Sequence, residues 1–153
     1  MIRIRGTLLP EHVLLGLTAA SPEEAVQKLS ESLRSDTRIS DWQAFLRALR
    51  ECEASGKVNY CGLILPHVRT SAVTKMLMAF GRLRDPLPQK DGPIQFVMLV
   101  GIPRAMDAEY LRLVGTLMRV FRHEKLRQQL LQASDAADII HIFEKGETRR
   151  EDQ

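Results

Sequence analysis

Gly62-Leu63-Ile64-Leu65-Pro66-His67-Val68-Arg69-Thr70 decides how this chain reads. Gly62 to Leu65 is a short apolar run stopped by Pro66, the pattern of a buried strand that ends where proline removes a ladder donor. His67 follows directly. The backbone therefore delivers an imidazole at the carboxyl end of a strand, which in open α/β sheets is where ligands bind. Arg69 adds a guanidinium within reach, able to grip phosphate oxygens through two parallel hydrogen bonds.

Downstream, two further apolar runs read as strands. Met76 to Phe80 ends at Gly81, and Ile94 to Val100 ends at Gly101 and Pro103, with a Pro/Gly-rich loop from Asp85 to Pro93 between them. Strands this continuously apolar predict a sheet covered on both faces. Upstream, Ser21-Pro22-Glu23-Glu24 opens a helix: Ser21 caps, Pro22 suits the first position and Glu24 completes a capping box. Ala25, Leu29 and Leu33 follow on one face. Ser40-Asp41 starts a second helix whose stripe is Trp42, Phe45, Leu46 and Leu49, ending before Ser55-Gly56. After Asp107 the helical period returns, with Tyr110, Val114, Leu117, Met118 and Phe121 on one face. Leu126, Leu130 and Leu131 predict a further helix and Ala136 to Phe143 a last one, before a polar tail with little to bury.

The chain has 153 residues, 44% hydrophobic and 27% charged, which predicts one folded domain spanning 1–153 with a core of about 5–144 and a polar tail of 145–153. Near the N-terminus Pro10, Glu11 and His12 interrupt the apolar stretch, so no secretory segment forms, and no window is long enough to span a bilayer. A cytoplasmic protein without direct membrane insertion is expected. Cys52 and Cys61 match neither CxxC nor a zinc framework, so reduced thiols and no metal are expected. The net charge of +3 sets 22 basic against 19 acidic residues, dispersed along the chain. Arg112, Arg119, Arg122, Lys125 and Arg127 with Glu109 and Glu124 read as a solvated helix face, and no nucleic-acid partner is expected.

Other chemistries fail on residue types. No GxxxxGK[ST], GxGxxG or GxSxG is present, so no nucleotide cradle or nucleophile elbow is supported and no cofactor is expected. His123-Glu124 begins like HExxH, but position 127 is Arg. Of the four histidines, His12 beside Glu11 and His123 in a charged stretch read as structural or solvent-facing, and His141 reads as core or helix-end packing. Only His67 has a setting that argues for chemistry.

The P-H-x-R segment, followed by Met78-Ala79-Phe80-Gly81-Arg82-Leu83, resembles enzyme IIA domains of the fructose/mannitol/nitrogen-regulatory type in the bacterial sugar phosphotransferase system. Arg50-Glu51 resembles the family's Arg-Glu pair upstream of its active histidine. Phe96 to Val100 and Tyr110-Leu111-Arg112-Leu113 resemble its third strand and long helix, and Glu124 to Leu131 fits its next helix. The resemblance runs from about Ser21 to Phe143 and implies an α/β (α+β) fold with a mixed central sheet covered by helices on both faces.

It also implies a function. His67 would accept a phosphoryl group from a phosphorylated histidine phosphocarrier protein, then pass it to a permease IIB component or hold it as a regulatory mark on a target protein. A neutral imidazole is a nucleophile at neutral pH, and in-line phosphoryl transfer asks the protein mainly for positioning and charge stabilisation. By the resemblance Arg50 stabilises the phosphate; Arg69 is added from its spacing. The chain departs from the family in two places. The usual Ser-Thr-Gly turn is replaced by Ala54-Ser55-Gly56-Lys57-Val58-Asn59-Tyr60-Cys61, and the family's second histidine position holds Tyr110, whose phenol can hydrogen-bond His67 or a phosphate oxygen. The competing expectation is an interaction domain of the same fold that has lost phosphorylation and regulates a transporter or an enzyme through its surface.

Overall fold

The computed structural model describes residues 2–53 and 59–148. In chain order the elements are α1 (Ile4–Thr7, one irregular turn), β1 (Leu8–Leu17), α2 (Pro22–Glu31), α3 (Trp42–Glu53), β2 (Leu63–Ile64), β3 (His67–Arg69), β4 (Leu77–Leu87), β5 (Ile94–Ile102), α4 (Asp107–Arg122), α5 (Glu124–Gln132) and α6 (Ala136–Thr148). Ser21 caps α2 as its sequence predicts, its hydroxyl accepting from the Glu24 amide at 3.1 Å, with Pro22 in the first turn.

The five strands form one mixed sheet. β1 runs parallel to β4, β4 antiparallel to β5, and both β2 and β3 run parallel to β5 along its far edge. Side chains alternate across it. Met78, Phe80, Phe96, Met98 and Val100 face the layer of α4, α5 and α6; Leu77, Ala79, Val97 and Leu99 face α2 and α3. The first face is centred on Phe80, Phe96, Phe121 and Phe143, all fully buried with neighbouring ring centroids 5.3–5.9 Å apart. Burying a phenylalanine of this kind is worth ~1.5–3 kcal/mol, so this cluster anchors α4, the helix that carries Tyr110.

Three boundaries differ from the sequence expectation. The chain before α2 contains a full strand, β1, which the interrupted apolar pattern conceals: Pro10 sits in an edge strand, and the register jumps between Leu8 and Val13. β4 does not stop at Gly81 but continues to Leu87, taking in Asp85 and Pro86 from the expected loop. Gly81 is there for close approach rather than as a breaker, since a Cβ would lie 2.8 Å from Leu17 Cδ2. Finally, α6 runs past Phe143 to Thr148. Gly146 is buried where a Cβ would meet the Thr116 carbonyl oxygen at 2.7 Å, Arg119 donates to the Gly146 carbonyl, and the Glu147 carboxylate accepts from the Ile4 amide. Gly146 and Glu147 are thus tied into the fold rather than part of a frayed tail. Arg119 and Arg127, expected on a solvated face, instead donate to the carbonyls of Gly146 and Phe121.

Candidate functional site

Pro66 splits one edge strand into β2 and β3. It cannot donate to β5, yet its carbonyl accepts from the Val100 amide at 3.0 Å, so the strand direction survives the break. His67 is therefore the first residue of a short strand rather than a loop residue at a strand end, paired in register with Val100. Val68 between them is buried, which turns the side chains of His67 and Arg69 to the same exposed side, roughly 7 Å apart along the strand.

Two helices close on this edge. Tyr110, in the second turn of α4, stacks its ring on the His67 imidazole, centroids 5.3 Å apart at 30°. One turn earlier on the same helix face, Asp107 takes the Arg69 Nε at 2.6 Å. From the other side, the last turn of α3 brings Cys52, whose thiol donates to the His67 carbonyl at 2.9 Å. Arg50 lies two residues before it, exposed and with no hydrogen-bond or ion-pair partner among the described residues. The sequence-predicted residues His67, Arg50, Arg69 and Tyr110 thus come from three elements that meet at one sheet edge. Of the altered loop 54–61, residues 54–58 lie outside the described residues; Asn59 ties the remainder to the neighbouring loop through the Gly92 carbonyl at 2.7 Å.

The tautomer of His67 follows from its partner. Nδ1 lies 3.3 Å from the Leu65 carbonyl oxygen, which can only accept, so Nδ1 carries the proton. Nε2 keeps its lone pair and has no partner among the described residues on an exposed ring. Tyr110 is only 8% exposed. Burial pushes its phenol above the usual value, against the pull of the Arg69 charge and with a smaller push from Cys52, so it stays a protonated donor at neutral pH. A nucleophilic nitrogen with the Arg69 guanidinium and a neutral phenol beside it, and Arg50 exposed on the helix turn that adjoins the same edge, suit the transfer of a dianionic group.

Sequence reasoning missed Asp107 and Cys52. Asp107 was legible as the residue one helical turn before Tyr110; nothing in the sequence marks Cys52. The other histidines are placed as follows: His12 is buried against Asp36, His123 caps α5 by accepting from the Leu126 amide, and His141 is exposed rather than in the core. Among the described residues no cluster of three or more His, Cys, Asp or Glu could hold a metal ion, and no helix is long and apolar enough to cross a membrane.

Residues 7–146 match the family model described as phosphoenolpyruvate-dependent sugar phosphotransferase system, EIIA 2. The chain belongs to this EIIA family. It is 32% identical over 144 residues to the fructose-specific EIIA component of Haloferax volcanii, covering 90% of this chain and 93% of that one. It is 27% identical over 144 residues to the nitrogen regulatory protein of Bradyrhizobium diazoefficiens, covering 92% and 94%. Among solved structures, the nitrogen regulatory protein IIA-Ntr of Neisseria meningitidis superposes with a TM-score of 0.81 at 22% identity, over 92% of this chain and 98% of that one, which bears out the mixed α/β fold. EIIA membership makes a phosphotransferase-system role, in sugar phosphorylation or in regulation, the setting in which the His67 edge has to be understood.

Proposed function

We propose that residues 1–153 act as one cytoplasmic phosphocarrier domain, in which His67 Nε2 accepts a phosphoryl group from a phosphorylated histidine phosphocarrier protein. The group then goes to a permease IIB component or stays as a regulatory mark. The observation that carries this reading is the tautomer: the Leu65 carbonyl takes the Nδ1 proton and leaves the Nε2 lone pair bare and exposed. In the step, the Nε2 lone pair forms the new P–N bond while the donor's P–N bond breaks, its electron pair returning to the donor ring. Each ring keeps the proton on its other nitrogen. The His67 ring becomes cationic as it is phosphorylated, and the hydrogen bond to the Leu65 carbonyl then stabilises that charge. Arg50 and Arg69 offset the charge on the phosphoryl oxygens, and the Tyr110 phenol can donate to one of them.

The test is incubation with phosphoenolpyruvate, enzyme I and the histidine phosphocarrier protein, read by intact-mass spectrometry. An acid-labile phosphoryl adduct is expected on the wild type and none on His67→Ala. Arg50→Ala should accept about ten- to a hundred-fold more slowly. Absence of an adduct with a competent donor overturns the carrier reading and leaves an interaction domain of the same fold; an adduct that persists in His67→Ala moves the site elsewhere.

A further inference from the structure

Arg69 is held in an unusual way for a residue beside a charged group. Its Nε donates to one oxygen of Asp107 at 2.6 Å, while neither terminal nitrogen bonds to any described residue. A carboxylate that filled the guanidinium would take two parallel bonds, as Asp36 does on Arg38 through Nε at 3.0 Å and Nη2 at 2.7 Å. Asp107 takes only the inner nitrogen. The pair is also exposed, 44% for Arg69 and 66% for Asp107, so it adds little to the stability of the fold. Its residues come from the two elements that frame His67: Arg69 shares the exposed side of β3 with His67, and Asp107 shares a face of α4 with Tyr110, the residue stacked on the imidazole.

We propose that Asp107 is the positioning residue for Arg69 in phosphoryl transfer at His67: it anchors the guanidinium at Nε and leaves both terminal nitrogens free for oxygens of the transferred group. An unanchored arginine on an exposed strand samples many rotamers, and fixing one beforehand removes that ordering cost from the transfer step. The carboxylate's own charge opposes an incoming phosphoryl group, so what it contributes is orientation. The inference rests on the phosphocarrier reading of His67 and adds a residue to it.

Initial rates of acceptance from the phosphorylated histidine phosphocarrier protein test it, read by intact mass on the full chain. Asp107→Ala should slow acceptance about ten-fold without moving the thermal midpoint. Asp107→Asn, whose amide oxygen still accepts from Nε, should stay within about three-fold of the wild type. Arg69→Ala should slow acceptance by about ten-fold or more, and adding Asp107→Ala to it should cost nothing further, because both act through one guanidinium. Acceptance by Asp107→Ala at the wild-type rate or faster would show the carboxylate to be idle or a competitor, and overturns the proposal. So do multiplying losses in the double variant, or an Asp107→Asn as slow as Asp107→Ala. These outcomes leave the phosphocarrier reading standing; a wild type that takes no adduct removes both.

Discussion

Two places in this molecule combine a histidine, an aspartate and an arginine, and they differ in almost everything else. At His12 the carboxylate of Asp36 sits at the centre: it takes Nε2 of the ring at 2.9 Å and grips Arg38 through two nitrogens, and Arg38 spends Nη1 on the carbonyls of Gly6, Thr7 and Met76. Side-chain exposure there is 6% for His12, 4% for Asp36 and 12% for Arg38. At His67 the ring donates to a carbonyl instead, the arginine has an open fork, and the aspartate is mostly in water. The ring nitrogens are used in opposite order. His12 donates from Nε2 to Asp36, and its Nδ1 is sealed in the interior without a partner among the described residues; His67 donates from Nδ1 and turns Nε2 to the surface. The same three residue types make a rivet where every strong donor is used internally, and a receptor for an anion where the donors are left over.

The largest effect should come from breaking the rivet. Asp36→Ala leaves a buried guanidinium and a buried ring nitrogen without their acceptor, and should cost about 3–5 kcal/mol in urea unfolding, while the folded fraction accepts a phosphoryl group as the wild type does. A cost below about 1 kcal/mol would mean that the two triads do not differ in the way their burial implies.

Acid should show the same asymmetry more gently. Burial alone would raise the Asp36 carboxyl, but hydrogen bonds from the Arg38 side chain and backbone, its charge, and the bond from His12 outweigh it and hold the group at about 2, against 3.8 for an unperturbed aspartate. A depressed folded-state value stabilises the protein above the unfolded value and loses that contribution as pH falls towards the folded one. The wild type should therefore shed about 2 kcal/mol between roughly pH 5 and pH 2 that an Asp36→Ala variant never had. Chemical denaturation of both proteins across that range measures the difference, and parallel pH profiles would refute the assignment.

This contrast also explains what the sequence discloses. The three inner apolar runs, the capped α2 and the long stripe of α4 are local patterns with one physical solution, and all are present. The P-H-x-R segment marks His67 because proline and an alternating buried valine dictate where the ring goes. β1 escapes because an edge strand needs only one bonded flank and tolerates Pro10, so its pattern carries no clean period. Asp36 escapes for a different reason, and so does the partner of Asp107, although the place of Asp107 on the helix is legible. The roles of the two aspartates rest on contacts across separations of 24 and 38 residues, to His12 and Arg69, and no local spacing encodes such a contact. The polar end of α6 reads as a fraying tail because Glu144 and Glu147 look solvated; their partners, Arg5 and the Ile4 amide, lie at the other end of the chain.

The smallest effect sharpens the open triad rather than breaking it. Tyr110→Phe keeps the buried ring and its stack on His67 and removes only the hydroxyl, so stability should hold within about 1 kcal/mol. If the phenol donates to the phosphoryl group, one hydrogen bond from a neutral donor to a charged oxygen is lost, about 1.5 kcal/mol at an open face where water can replace it, which slows acceptance about ten-fold. Because burial raises the phenol above its ordinary value of 10.0, this contribution should be flat from pH 6 to 9. A variant that is slow only at the alkaline end would assign the group a proton-transfer role that its burial does not support. One that accepts at the wild-type rate throughout would reduce Tyr110 to a ring that fixes the imidazole plane. Arg69 would then be the donor that the open triad offers, and the contrast with the closed one would rest on the guanidinium fork alone.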